Sequence, residues 1–186
     1  MKAAWYEHFG TAREVLIIGA RPDPLPGPGE VLVRLQYSAV NPSDVKKRAG
    51  TNNPNLLANG PIIPHSDGAG VIEAIGAGVA RARIGERVWI YNAQHERPAG
   101  SAAELIALPT ELAIPLPAGM DLAIGACLGI PAMTAHRSVT IAGPVAGKTL
   151  LITGGAGRVG HYAIQWAKLM GATVIATAGN PASRDQ

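Results

Sequence analysis

Residues 149–177 read TLLITGGAGRVGHYAIQWAKLMGATVIAT. The stretch begins with a continuous apolar segment, residues 149–153, which is typical of a strand buried on both faces. A glycine-rich turn over residues 154–160 follows, and residues 159–170 place apolar side chains on one face of a helix. A second apolar segment, residues 173–177, completes a strand–turn–helix–strand unit. This βαβ unit of about 30 residues predicts the opening of a dinucleotide-binding fold.

The residues before this unit predict a domain made mainly of strands. Four segments have strand-like composition and lie between glycine and proline turn signals. These segments are residues 31–37, 70–76, 87–91 and 102–108. Strands at this spacing are typical of a barrel-like or sandwich domain.

The pattern changes after Pro117. Residues 120–137 have apolar side chains at helical spacing, interrupted by Pro131. We therefore expect two parts in the chain: a β domain over residues 1–120, and the beginning of a dinucleotide-binding domain over residues 121–186.

Composition excludes several classes of protein. The chain has 186 residues, of which 47% are hydrophobic and 16% are charged, too apolar for a disordered chain or a coiled coil. The net charge of +3 is too small to predict nucleic-acid binding. The longest uncharged stretch, residues 122–135, contains Pro131 and is too short to span a bilayer. With no signal-peptide core at the start, the sequence predicts a cytoplasmic protein without a membrane or nucleic-acid partner.

The glycine-rich turn is the strongest candidate site. Glycines there permit a tight bend and a close approach of backbone N–H groups to a pyrophosphate, and the helix N-terminus adds partial positive charge. The alternative is a turn with a purely structural role. The residues we expect at the cofactor are Gly154, Ala156, Gly157, Arg158 and Val159.

The end of the second strand indicates which cofactor is used. An NAD site usually carries Asp or Glu about 20 residues after the glycine motif, bonded to the ribose 2′-hydroxyl. Residues 177–184 contain no acid. Gly179, Ser183 and Arg184 are instead expected near a 2′-phosphate, which predicts NADPH as the cofactor. The alternative for Arg184 is a solvated residue near the end of the chain.

Five motifs occur in one order along the chain and resemble a known family. They are residues 41–44 (NPSD), 64–76, 85–88 (GERV), 129–135 and the glycine-rich turn. Together they resemble the zinc-free quinone oxidoreductase (zeta-crystallin-like) branch of the medium-chain dehydrogenase/reductase superfamily. This resemblance implies a β-rich chaperonin-10-like catalytic domain followed by the start, one βαβ unit, of a Rossmann α/β domain. It also implies NADPH-dependent reduction of a quinone or conjugated carbonyl in a cleft between the domains of a homodimer.

The resemblance assigns roles to particular residues. Asn41 lies beside the nicotinamide and donates to the substrate oxygen, and Thr134 is also near the nicotinamide. Asp44 orients the loop or a water, and the alternative is a turn-capping aspartate. Ser66 is either a second polar donor or a buried filler, and Tyr91 is expected to line the cleft.

The resemblance also predicts that no metal is bound. Zinc alcohol dehydrogenases of the superfamily have Cys where this chain has Asn41 and His where it has Ser66. Their third ligand falls near Ile130, which cannot bind zinc. The five histidines show no ligand spacing. A zinc alcohol dehydrogenase is therefore a disfavoured alternative.

Members of the family are much longer than this chain, which resembles their first half. We therefore expect the chain alone to be inactive as a reductase. The alternative function is a non-catalytic or inactive truncated module that retains the β domain for binding or assembly.

Overall fold

The computed structural model describes residues 1–51, 53–179 and 182. They form two compact units, one comprising residues 1–129 and the other starting at Ile130. Each unit has a hydrophobic core of its own. Asn41 belongs to the first unit and the glycine-rich turn belongs to the second.

The first unit is built mainly of short strands. Its strands are β1 (Lys2–Trp5), β2 (Ile17–Ala20), β3 (Glu30–Ala39), β4 (Asp67–Ile75), β5 (Arg87–Ile90), β6 (Leu105–Pro109) and β7 (Ala113–Pro115). Its helices are α1 (Ala12–Val15), α2 (Pro42–Arg48) and α3 (Leu122–Ala126), with 3₁₀ turns at Arg81–Arg83 and Thr110–Leu112.

In the described part of this unit, five strands form an antiparallel sheet in the order β6-β3-β4-β5-β7, while β1 and β2 pair separately. Buried and outward-facing side chains alternate along β3, and the buried ones form the core. Val31 and Val33 are fully buried, whereas Arg34 is exposed. Burying one such valine contributes roughly 1.5–3 kcal/mol relative to leaving it in water. The β-rich domain and its four predicted strands are confirmed, since those segments correspond to β3, β4, β5 and β6.

The pairing of β3 with β4 positions the candidate site. These strands are antiparallel, with Ala39 opposite Asp67 and a register shift between Leu35 and Tyr37. Such an irregularity bends a strand and increases its twist. Because Asn41 follows Ala39 by two residues, the pairing brings the start of α2 to the start of β4.

The boundary between the units lies later than the sequence predicts. Leu122 and Ala126 of α3 pack with Ala69 and Leu116 of the first unit. The unit therefore continues to residue 129 and does not stop at residue 120.

The helical stretch predicted over residues 120–137 consists of three pieces. After α3 the chain forms a π-helical turn, Leu128–Ala132, and then α4 (Met133–Thr140). Pro131 lies inside the π-helical turn. Because proline has no N–H to donate, a regular α-helix is interrupted at this point.

The second unit contains the predicted βαβ motif. β8 (Thr149–Ile152) and β9 (Thr173–Ala176) are parallel neighbours, connected by α5 (Arg158–Leu169). Ala163 and Ala167 of α5 pack with Ala135 and Val139 of α4. The predicted start of a dinucleotide-binding fold is therefore confirmed.

No helix among the described residues combines the length and the apolar character that crossing a bilayer requires.

Candidate active site

Asn41 is held at the junction of β3 and α2. It is 5% exposed and immediately precedes Pro42, the first residue of the helix. Its backbone N–H donates to Oδ2 of Asp44 at 2.7 Å. Its side-chain Nδ2 donates to Oδ2 of Asp67 at 2.8 Å. The first bond fixes the backbone of Asn41, and the second fixes the carboxamide that the resemblance places at the substrate.

Asp67 is a site residue that the sequence analysis did not identify. It is the first residue of β4 and is fully buried. A Cβ atom built on Gly129 would lie 2.1 Å from its Oδ1. The carboxylate therefore requires glycine at the second residue of the π-helical turn. The only sequence signal is an acidic residue opening an apolar strand, which does not reveal its partner 26 residues away.

Asp44 lies next to Asn41 and is buried, and its predicted role stays a prediction. No described residue donates to its Oδ1. Burial raises the pKa of the Asp44 carboxyl, while the backbone hydrogen bond from Asn41 and the charges of His65 and Lys47 lower it. The side chain has the reciprocal position of a capping box, since Asn41 is the N-cap residue and Asp44 is N3. It therefore supports the backbone of Asn41 directly.

Ser66 is buried beside Asp67, and its backbone carbonyl accepts from the N–H of Ala93 at 3.0 Å. This bond ties the start of β4 to the loop after β5. The burial of Ser66 is compatible with either role considered for it. Its neighbour His65 lies with its Nδ1 atom 2.9 Å from Oγ of Ser38.

Lys47 connects α2 to the loop that follows β5. Its Nζ donates to Oε1 of Gln94 at 2.7 Å and to the Gln94 carbonyl at 3.3 Å. Gln94 is 2% exposed and donates in turn to the carbonyl of Arg97 at 3.1 Å. Burial lowers the pKa of the Lys47 ammonium, and Asp44 opposes this shift. Lys47 is thus a structural tether between the helix and the loop.

Tyr91 is not connected to Asn41 by any hydrogen bond among the described residues. It is half-buried, its N–H donates to the carbonyl of Leu112 at 3.3 Å, and its ring lies 5.7 Å from that of Trp89. Thr134 is exposed on α4, where its carbonyl accepts from the Ser138 hydroxyl at 2.8 Å. Their predicted roles remain predictions.

The glycine-rich turn is closed by Thr177, which the sequence analysis did not single out. Gly154 donates to its Oγ1 at 2.9 Å, and Gly155 donates to its carbonyl at 2.8 Å. Gly154 has a φ of +67°, a conformation that favours glycine. Because its N–H is already donated to Thr177, Gly154 shapes the turn, and its predicted contact with the cofactor stays a prediction.

Helix α5 starts directly after this turn, with Gly157 as its N-cap. Gly157, Arg158 and Val159 are exposed and Ala156 is half-buried. The first N–H groups of a helix lack partners within the helix and attract anions. The exposed first turn of α5 is therefore suited to a phosphate, and the cofactor contacts predicted for it stay predictions.

Gly179 is exposed beyond the end of β9. Ser183 and Arg184, which are predicted to contact a 2′-phosphate, lie outside the described residues. Within the described ranges, no group of three or more His, Cys, Asp or Glu side chains is arranged to hold a metal ion.

Comparison with known proteins identifies the first unit. Residues 27–118 match the family described as "Alcohol dehydrogenase GroES-like domain". The chain contains an alcohol dehydrogenase GroES-like domain. This domain covers β3 through β7, and it therefore includes Asn41, Asp44 and Asp67.

The relatives of this GroES-like chain include quinone oxidoreductases. It is 34% identical to a chloroplastic quinone-oxidoreductase homolog of Spinacia oleracea, over 96% of this chain and 56% of the relative. It is 35% identical to the quinone oxidoreductase of Rattus norvegicus, over 84% of this chain and 46% of the relative. The resemblance predicted from the five motifs is therefore confirmed.

A solved structure supports the same relationship. A mycobacterial protein whose structure is complexed with NADPH is 30% identical, with a TM-score of 0.84 over 100% of this chain and 55% of that one. The chain thus spans about half the length of the relatives it matches.

Proposed function

We propose that this chain carries the substrate-side domain and the first cofactor-binding elements of an NADPH-dependent reductase. The enzyme transfers hydride to a quinone or conjugated carbonyl and uses no zinc. The similarity to quinone oxidoreductases supports the reaction class, and the NADPH complex of a structural neighbour supports the cofactor. A small-molecule substrate, a cytoplasmic location and a homodimer of the full-length protein belong to the same proposal.

The observation that carries the proposal is the bond from Asn41 to Asp67. A carboxamide nitrogen has two hydrogens, and Asn41 donates one of them to Asp67. We propose that the second is donated to the substrate oxygen. Hydride addition to a carbonyl or enone places negative charge on oxygen, and a fixed neutral donor stabilises that charge without reorganising. In this role the Asn41 amide replaces the metal that polarises the carbonyl in zinc-dependent enzymes.

NADPH, when bound, supplies the hydride. In the second unit, Ala156, Gly157, Arg158 and Val159 would hold its pyrophosphate at the start of α5, with Thr134 at the nicotinamide and Arg184 at the 2′-phosphate. Gly157 suits this use: it is exposed, and a Cβ atom on it would lie 3.1 Å from the Gly154 carbonyl. The turn thus leaves its backbone accessible to a ligand.

The second candidate function is binding or assembly. In this case the chain is a module that keeps the GroES-like domain and catalyses no reaction. The observation favouring it lies in the second unit, where Leu151 of β8 is 66% exposed and Ile175 of β9 is 57% exposed. Exposed apolar strands favour pairing with another chain. We therefore propose that residues 1–186 by themselves do not reduce quinones at the rate of the full-length protein.

The test is NADPH oxidation by the full-length protein with a quinone and an enone, with and without a chelator. We expect turnover that the chelator does not change. Asn41→Ala should lower kcat by about 10²–10³, the usual effect of removing an oxyanion donor. The exposed Asn55→Ala is the matched control. Turnover abolished by chelation, or a fully active Asn41→Ala variant, would contradict the mechanism.

A further inference from the structure

His65 has an unusual backbone conformation next to the candidate active site. Its φ is +76°, in the left-handed region that residues other than glycine seldom adopt. Its carbonyl accepts from the N–H of Ser101 at 3.0 Å, and the Pro64 carbonyl accepts from Ala102 at 3.0 Å. Backbone hydrogen bonds from residues 101 and 102 thus hold the chain at His65 and at Pro64. Such a conformation persists where the surroundings impose it, and it is often found at functional sites.

A chain of three hydrogen bonds fixes the hydrogen on the His65 ring. Oγ of Ser101 donates to the carbonyl of Asp67 at 2.6 Å, so its only hydrogen is used. Oγ of Ser38 lies 2.9 Å from Oγ of Ser101 and must therefore be the donor of that pair. With its own hydrogen used, the Ser38 hydroxyl accepts from Nδ1 of His65, which is 2.9 Å away. Neutral His65 thus carries its hydrogen on Nδ1 and its lone pair on Nε2.

This arrangement leaves Nε2 as the ring nitrogen that can gain or lose a proton. No described residue forms a hydrogen bond with Nε2 of His65. The charged groups that act on the ring, Asp44 and Arg48, both come from α2. Burial is the main influence and lowers the pKa of the His65 imidazole; Asp44 opposes this shift and Arg48 adds to it. A protonated His65 is therefore a stronger acid than an ordinary histidine.

The hydrogen-bond chain ends on a residue that also holds the proposed oxyanion donor. Asp67 accepts from Ser101 through its carbonyl and from Asn41 through its carboxylate. His65 and Asn41 are each linked to Asp44 as well, the first by charge and the second by a hydrogen bond. One group of side chains thus contains an oriented amide donor and an oriented imidazole.

We propose that Nε2 of His65 gives the substrate oxygen its proton when hydride arrives at the substrate carbon. This inference rests on the proposed function. The new C–H bond takes the hydride pair, the π electrons move to oxygen, and an O–H bond forms as the Nε2–H bond breaks. The substrate is reduced by two electrons and NADPH is oxidised. His65 returns to its neutral Nδ1–H form and regains a proton from solvent.

Ser38 is the positioning residue in this scheme. It is exposed, and together with Ser101 it lines an open pocket of about 290 Å³. Its hydroxyl is the sole acceptor that the structure gives to Nδ1 of His65 among the described residues. Removing this hydroxyl should leave the imidazole in place, but the hydrogen would no longer be fixed on Nδ1.

The first test is nitrogen-15 NMR of the histidines in this chain, which needs no turnover. We expect neutral His65 in the Nδ1–H form, whereas exposed histidines in water favour the Nε2–H form. Ser38→Ala should shift the His65 signals toward those of exposed His8. An Nε2–H tautomer of His65 in the unaltered chain, or no change in Ser38→Ala, would overturn the inference.

The second test uses His65→Asn in the full-length protein. Asparagine tolerates a positive φ and its amide can donate to Ser38, but it offers no titrating nitrogen in place of Nε2. We expect kcat to fall by about 10²-fold or more, as is usual for a lost general acid, while NADPH affinity stays within about twofold. His8→Asn, at an exposed position of the same unit, should behave as the unaltered protein.

The pH profile separates a chemical role from a structural one. The kcat of the unaltered protein should fall as pH rises through the pKa of His65, because the protonated ring is consumed. This dependence should be absent from His65→Asn. A His65→Asn variant with unaltered kcat and pH profile would overturn this inference and leave the proposed function standing. An unaltered protein that reduces no carbonyl would overturn the proposed function, and this inference with it.

Discussion

The carboxamide of Asn41 donates across 2.8 Å to the carboxylate of Asp67, and both side chains are buried. The two residues are 26 positions apart and meet because β3 and β4 are paired with Ala39 opposite Asp67. The sheet register therefore decides the orientation of the amide. The same bond also stabilises the junction between β3 and α2.

Asn41→Ala should destabilise the first unit. The change removes a hydrogen bond to a buried carboxylate, and bonds to charged groups contribute about 1.5–3 kcal/mol. We expect the free energy of unfolding in urea to fall by roughly that amount. The exposed Asn55→Ala serves as the control and should stay close to the unaltered chain. Equal stabilities of the two variants would show that the bond contributes nothing.

Asp44→Asn should change how stability depends on pH. Because burial raises the folded-state pKa of Asp44, the folded chain holds this proton more tightly than the unfolded chain. The contribution of Asp44 to the free energy of unfolding therefore falls as pH rises from about 4, its usual value, through the raised value. Asparagine does not ionise, and its carbonyl can still accept from the Asn41 N–H.

Urea unfolding between about pH 3.5 and 7 measures this effect, since that range begins near the ordinary Asp pKa. The stability of Asp44→Asn relative to the unaltered chain should increase with pH. Asp121→Asn, at the exposed N-cap of α3, is the control for exchanging an aspartate for asparagine, since asparagine caps helices as well as aspartate. A relative stability of Asp44→Asn that decreases with pH would mean that the carboxylate is net stabilising.

Replacing either of two glycines of the glycine-rich turn with valine should have different effects. Gly157→Val is expected to prevent NADPH binding in a fluorescence titration without unfolding the first unit, because its added Cβ meets only the Gly154 carbonyl, at 3.1 Å. In Gly160→Val the Cβ would lie 2.1 Å from the same carbonyl and 2.9 Å from Gly155 Cα. This variant should lose the helical signal of the second unit. Normal NADPH binding by Gly157→Val would exclude the turn as the pyrophosphate site.

Arg184→Ala should weaken the binding of NADPH without affecting the binding of NADH. Losing a charge-assisted bond to the 2′-phosphate costs about 1.5–3 kcal/mol, which corresponds to a roughly 10- to 100-fold rise in Kd. Titration of the full-length protein with both cofactors measures this, with exposed Arg137→Ala as the control. We also expect the unaltered protein to prefer NADPH. Equal or tighter binding of NADH would contradict the predicted cofactor choice.

The βαβ unit was predictable because its signals are local. The segments predicted at 149–153, 159–170 and 173–177 agree within one residue at each end with β8, α5 and β9. Each boundary is marked by glycine or by a change of hydrophobic period. The strands β1, β2 and β7 were not predicted: they are no longer than β5, β8 and β9, but they lack the glycine-flanked apolar segment that marks those three strands.

The candidate site was predictable only in part. Asn41 and Asp44 stand in one short motif, and the structure brings them together by a capping hydrogen bond. Asp67 was missed, and the role proposed for His65 was not foreseen, because their contacts are with residues distant in sequence, Asn41 and Ser38. Those contacts follow from a strand register that composition and spacing do not reveal.

The glycine at position 129 has a consequence for how the chain can vary. Because a Cβ there would collide with the carboxylate of Asp67, Gly129→Ala alone should be strongly destabilising, whereas a smaller residue at position 67 should make room for it. Asp67 also accepts from Asn41, so the space freed at one contact leaves a donor without its acceptor at the other. Positions 41, 67 and 129 are thus expected to change together or not at all, and a library randomised at all three should yield a few compatible triplets rather than independent preferences.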